Sequence, residues 1–274
     1  MFLNVPDIQY DDIVTGEKFT HACEAIYYHY ELCNMQNTEK ARLFYTDTYK
    51  FEDLLPLLPK TPVTLVSHNA DRAFTDEMAA AMPSNVEKCF SVNVATAHEK
   101  VIPIPIGLEN ERWYSDQKRK QKILDQRNKG VRPIKLLYSN FSIETNHSAR
   151  QVAFDKFKDV SWCTTRPWNR ERANRGENFD NYVWDIMDHF YVLSPQGNGI
   201  DCHRTWEAMY LNRVPVLLRN HNTKQYEDMP VLLVDSWDEV TEQFLLDRCN
   251  YFSHTVFNYK KLKFEYWKDL IWKR

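Results

Sequence analysis

Glycine is scarce in this chain, with six in 274 residues, and 43% of the residues are apolar and 27% charged. That composition excludes a linker-rich or disordered polypeptide. No run approaches the roughly 18 consecutive apolar residues of a membrane helix, and MFLNVPDIQYDD at the start lacks the basic and apolar regions of a signal peptide. The expectation is a cytoplasmic protein without a transmembrane segment. Two N-x-S triplets, at Asn140 and Asn146, fall in a loop assigned below to ligand binding, which disfavours a secretory route. Neither sign of charge is in excess: 35 basic residues face 38 acidic ones, and the dense run Lys118 to Lys122 reads as a solvated helix face. No basic stripe argues for a nucleic-acid partner. The six cysteines form no CxxC pair or zinc spacing, so they read as reduced structural thiols. Asp-x-Asp is also absent, and the expectation is metal independence.

What is present is alternation. RLFYTD (42–47), PVTLVSHNAD (62–71) and CFSVNVA (89–95) read as apolar strands, with a helix from Glu17 to Tyr30 before them and one from Thr75 to Ala81 between the last two. VIPIPIGLEN (101–110) is proline-punctuated and extended, and Glu111 to Gly130 is charged and helix-prone. The pattern then restarts with IKLLYSNFS (134–142), a helix around Ala149 to Lys158, VSWCT, HFYVLSPQGNG, a helix from about Asp201 to Asn212, VPVLLRN and VLLVDS. Such alternation predicts α/β layers with parallel sheets. The length suits two compact units, divided here as 1–120 and 121–274, the second ending in a helical tail. Aromatics at 14% suit either core packing or sugar binding.

The most informative segment is FYVLSPQGNGIDCHRTWEAMYLNRVPVLL, where a strand runs through a glycine-bearing loop into a helix and a second strand. Gly197 and Gly199 leave room for backbone amides to approach phosphate, and a helix start adds unpaired N–H groups. Helical spacing sets Cys202, Trp206 and Met209 on an apolar stripe and His203, Arg204 and Glu207 on a polar one. The polar stripe offers His203 or Arg204 to phosphate and Glu207 to ribose hydroxyls; an Arg204/Glu207 surface pair is the plainer alternative. A dinucleotide fingerprint fits less well, because Cys202 stands at its third glycine and VPVLLRN ends in Arg219 and Asn220, without the acidic ribose ligand.

LSPQGNGIDCHRTWEAMYLNRVPVLL resembles the signature of exostosin-like glycosyltransferases, with weaker similarity in HNAD (68–71), IPIGLEN (104–110) and LLYSNFSIETNHSAR (136–150). The chain is similar to compact chlorovirus-type members that glycosylate capsid proteins. The resemblance implies a GT-B architecture, two facing Rossmann-like domains with the acceptor on the first and a nucleotide-sugar donor on the second. It implies a UDP-sugar, UDP-xylose among the options, moved with inversion to a glycan acceptor, and no cofactor beyond that donor. The loop from Ser194 through Gly197, Asn198 and Gly199 to Asp201 would face the diphosphate, with His203 and Arg204 beside it and Glu207 on the ribose. Asn140, Ser142 and Thr145 are placed at the inter-domain cleft, and Arg150 is either a phosphate partner or a solvated helix arginine. The base that takes the acceptor proton must come from the N-terminal half, with Asp71 first, His68 second and Glu109 third. A non-catalytic sugar- or nucleotide-binding protein of the same fold, or an NAD-dependent oxidoreductase, are the competing functions.

Overall fold

Short runs of aromatic and β-branched residues become strands when parallel neighbours bury both their faces, and the chain builds two sheets this way. The computed structural model describes residues 6–29, 32–113, 118–166 and 179–273. In the first half, α1 (Gly16–His21) precedes β1 (Ala25–His29), β2 (Leu32–Asn34), β3 (Leu43–Asp47), α2 (Phe51–Leu54), β4 (Val63–His68), α3 (Asp76–Ala81), β5 (Val86–Ser91) and β6 (Val101–Pro103). The sheet order is β2-β1-β3-β4-β5-β6, parallel except for β1 against β2. Its parallel strands add in one direction only.

The second half contains α4 (Arg119–Asn128), β7 (Lys135–Ser139), α5 (His147–Phe157), β8 (Cys163–Thr165), α6 (Phe179–Asp188), β9 (His189–Leu193), α7 (His203–Tyr210), β10 (Val214–Leu218) and β11 (Leu232–Val234). Helices α8 (Glu242–His254) and α9 (Phe264–Trp272) follow. All pairings in this sheet are parallel, in the order β11-β10-β9-β7-β8. The chain therefore winds outward from β7 to β8 and then returns across β7 to β9. The loops leaving β7 and β9 part in opposite directions, which opens a crevice at their carboxyl ends, the place where ligands bind in open α/β sheets.

Three cores hold these layers. Phe44, Phe51, Leu65 and Phe74 fill the space between the first sheet and α2 and α3, and Leu137, Phe157, Tyr191 and Phe252 do the same between the second sheet, α5 and α8. The third runs through both halves, joining Tyr45 and Phe90 to Tyr138, Trp206 and Tyr210. The apolar stripe of α7 supplies it, with Trp206 and Met209 fully buried, each stabilising by about 1.5–3 kcal/mol. The terminal helix α9 returns to the first half, where Phe264 meets the Phe19 ring edge-on at 5.2 Å and Lys263 pairs with Asp12 at 2.9 Å.

The expected helix from Glu17 to Tyr30 is corrected: α1 stops at His21 and Ala25–His29 is a strand beside β3. The Glu24 carboxylate accepts from the amides of Arg42 and Leu43 at 2.7 and 3.0 Å, which fixes β3 against the start of β1. Strand pairing there overrides the helical spacing. The charged stretch from Glu111 splits into a single turn at Glu111–Trp113 and α4, while α6 and α8 had no counterpart in the sequence reading. Among the described residues no helix is long and apolar enough to cross a membrane.

Candidate functional site

The loops after β7 and β9 are joined by side chains from α5 and α7. Asn146 caps α5 by accepting from the Ala149 amide at 3.3 Å and donates to the Gly197 carbonyl at 2.8 Å, so one residue orders both loops. Ser194 is buried, with its hydroxyl 3.0 Å from that of Thr205, and it ties β9 to α7 instead of facing the crevice. At Gly197 a Cβ would lie 2.6 Å from Arg150 Nη2, and at Gly199 one would lie 2.7 Å from the Asn93 amide. The glycines thus admit an arginine and the opposite half of the molecule. The Gly197 amide donates to the Gly199 carbonyl at 3.0 Å, which corrects the expectation of a phosphate-facing amide at that position.

Two guanidinium groups meet in the crevice. Arg150, 6% exposed, donates from Nε to the Gln196 carbonyl at 3.0 Å and from Nη1 to the Ser142 carbonyl at 2.8 Å. Arg204 donates from Nε to the Asn140 carbonyl at 2.9 Å, while its Nη1 is buried without a partner. Both lie over the Phe141 ring, at 5.8 and 5.6 Å from its centroid. Neither has a carboxylate partner among the described residues. Burial, followed by the like charge of Arg204, pulls Arg150 down to about 10, so it remains cationic at neutral pH. Asn140 and Ser142 contribute main-chain carbonyls here, and Thr145 lines the adjoining cavity.

Glu207 lies one turn along α7 from Arg204 and accepts from the Tyr182 hydroxyl at 2.5 Å. Its Oε1 has no partner among the described residues, leaving an acceptor that suits a diol. Among the described residues no three His, Cys, Asp or Glu side chains converge in a geometry that holds a metal ion.

Asp201 and His203 serve the contact between the halves. Asp201 Oδ2 accepts from the Ile106 amide at 2.9 Å, the Trp206 indole at 3.2 Å and the Tyr226 hydroxyl at 2.6 Å; Oδ1 accepts from the Cys202 amide at 2.9 Å. With both oxygens engaged and 3% exposure, this carboxylate anchors the loop and is not turned toward a ligand. Asn93, in the left-handed region at φ 56°, accepts from the Asp201 amide at 2.8 Å and donates to the Ala70 carbonyl at 2.9 Å. His203 Nδ1 lies 2.8 Å from the Gly107 carbonyl and Nε2 lies 3.2 Å from Glu109 Oε2. Both ring nitrogens thus face acceptors, which requires the imidazolium. Burial opposes that charge, but Glu109 and the Gly107 carbonyl outweigh it and raise His203 to about 9. Burial likewise pushes Glu109 up, and the His203 charge and hydrogen bond reverse it to a net lowering.

The pair gives a stability profile with a sign on each side. Its contribution is whole between the ordinary values of 4.5 for glutamate and 6.5 for histidine. It fades as the pH rises through about 9, where His203 deprotonates, and as the pH falls through the lowered Glu109 value. The unfolding free energy of wild type should therefore exceed that of His203→Gln most near pH ~6, by on the order of 1 kcal/mol for a partly exposed pair, and the gap should close by pH ~10. A gap that does not change with pH would show that the pair is not ionised.

The base candidates separate sharply. His68 is 1% exposed, stacks on Phe19 at 5.0 Å, donates from Nε2 to the Pro105 carbonyl at 2.9 Å and accepts at Nδ1 from the Asn69 amide at 2.7 Å. Burial lowers it to about 4. The expectation of His68 as a base is corrected: both nitrogens are committed to the backbone and the ring meets no solvent. Glu109 is committed to His203. Asp71 is exposed and accepts from Asn198 Nδ2 at 3.2 Å, which sets it across the crevice from the loop that holds Arg150. It is the one carboxylate among the described residues lining a cavity of about 510 Å³ bounded also by Tyr49, Arg72, Thr145, Gly197 and Asn198.

Tyr182, Asn93, Phe141 and Tyr49 escaped the sequence reading, and Asn146 was placed in the ligand loop without its capping role. Only Asn93 carried a local signal, as a lone amide inside the apolar run SVNVA. No family model matches the chain, and no curated protein is similar to it at a significant level.

Proposed function

We propose that the chain is an inverting, metal-independent glycosyltransferase of GT-B type, moving a sugar from a nucleotide diphosphate donor, a UDP-sugar, to a hydroxyl of a glycan acceptor. In this reading the half from 121 onward holds the donor and the half up to 120 presents the acceptor. The observation that carries it is the pair Arg150 and Arg204, two guanidinium groups without a carboxylate partner among the described residues at the strand-order reversal, one with a buried unpartnered donor. Burying unpaired charge is costly. A diphosphate supplies the missing anion, and guanidinium forks match its oxygens. Glu207 then accepts from the ribose, and Asp71 faces the transfer site from the other half.

The test is thermal stabilisation by UDP and GDP, followed by hydrolysis of a panel of nucleotide sugars. At a hundred times Kd, the nucleotide should add about 2.7 kcal/mol of stability. Turnover should persist in excess EDTA. No response to any nucleotide diphosphate would refute the donor site, and loss of turnover restored by manganese would refute metal independence alone.

A further inference from the structure

The cavity beside Asp71 differs chemically from the arginine crevice. Arg72, its one cation among the described residues, is neutralised by a bidentate pair with Glu52 at 2.6 and 2.8 Å, and its Nη1 also donates to the Thr48 carbonyl at 3.3 Å. Asp71 brings a negative charge, and neither its Oδ1 nor Asn198 Oδ1 has a partner among the described residues. With the Asp71 carboxylate in the cavity and Arg72 already paired with Glu52, phosphate and carboxylate ligands are disfavoured, and the acceptor oxygens suit hydroxyl groups. Tyr49 lines the cavity as an aromatic residue 58% exposed, its ring face open to a ligand.

The main chain that carries the ring is fixed. Tyr49 sits in the turn Thr48–Lys50, where its amide donates to Asp47 Oδ1 at 2.8 Å, and Arg72 links that turn to the segment carrying Asp71. Burial, then the Asp71 charge, push the Tyr49 phenol up, in keeping with a hydroxyl close to that carboxylate. An exposed aromatic face in one cavity with carboxylate and amide oxygens fits a ring with one apolar side and hydroxyls at its rim.

We infer that the cavity between Tyr49, Asp71 and Asn198 is a binding subsite for a neutral pyranose, stacked on Tyr49 with its hydroxyls donating to Asp71 and Asn198. Its volume of about 510 Å³ lies within the range of small-molecule sites. The ligand's role as acceptor rests on the glycosyl-transfer reading; its binding does not.

The experiment is titration of the full chain, without nucleotide, with methyl glycosides of common neutral pyranoses, alongside glucuronic acid and glucose 6-phosphate, read by saturation-transfer NMR and calorimetry. At least one neutral glycoside should bind more tightly than either anionic sugar. Tyr49→Ala should weaken that binding about tenfold or more, and Tyr49→Phe should keep it within about twofold, since the ring face and not the hydroxyl is used. Both variants should retain wild-type UDP affinity and melting behaviour. Absence of binding across the panel, survival of binding in Tyr49→Ala, or preference for the charged sugars would each overturn the subsite. Tyr49-dependent glycoside binding in a protein that ignores UDP would keep the subsite and sink the donor assignment; UDP binding with no glycoside binding would do the reverse.

Discussion

Asp71→Asn is expected to bind UDP as wild type does and to lose at least about 10²-fold in kcat, the lower bound for removing a general base. An acceptor hydroxyl sheds its proton as the new glycosidic bond forms, and the proton needs a carboxylate or imidazole within hydrogen-bond reach. Of the candidates in the first half, His68 is sealed with both nitrogens on the backbone, and Glu109 is ion-paired with His203. Asp71 alone is exposed to the cavity, on the side opposite the loop that would hold the leaving diphosphate. With Asp71 as base in the proposed single displacement, an α-linked donor should give a β-linked product. The substitution removes one exposed contact with Asn198, and the melting temperature should move little. Near-wild-type turnover of the folded variant would remove Asp71 from the chemistry, and an α-linked product by NMR would overturn single displacement even if Asp71 proved essential.

The parts of this arrangement visible in the sequence are those whose causes are local. VTLVSH and HFYVL are apolar on both faces, which is what a strand inside a parallel sheet requires, and both are strands. Arg204 and Glu207 are one helical turn apart, so their shared side of α7 followed from spacing alone. The roles decided by distant partners were hidden. Asp201 appeared to be a ligand-facing loop residue because nothing nearby revealed that the Ile106 amide, 95 positions away, would claim its carboxylate. His203 looked equivalent to Arg204 for the same reason, until Glu109 took its second nitrogen. At Glu24 the error ran the other way: a locally plausible helix yielded to pairing with a strand about 18 residues on, whose amides that carboxylate binds.

Replacing Arg204 by glutamine should reduce UDP affinity about 10- to 150-fold, corresponding to the ~1.5–3 kcal/mol of a charge-assisted hydrogen bond, while leaving the melting temperature of the unliganded protein unchanged or higher. The two signs are the point of the test. An arginine kept for stability has acceptors for its donors and opposite charge beside it, and its removal costs stability. Arg204 has one carbonyl, at Asn140, a buried Nη1 with no acceptor, and the like charge of Arg150 beside it. Glutamine relieves the repulsion and the unpartnered donor at the loss of that one bond, worth about 1 kcal/mol net, so the empty protein should gain or break even. Arg150 offers the contrast, since its bonds to the Gln196 and Ser142 carbonyls hold the two loops together. Arg150→Gln should therefore lower both UDP affinity and the melting temperature. If Arg204→Gln instead melts earlier and binds UDP as wild type does, the crevice is a structural joint and the anion belongs elsewhere.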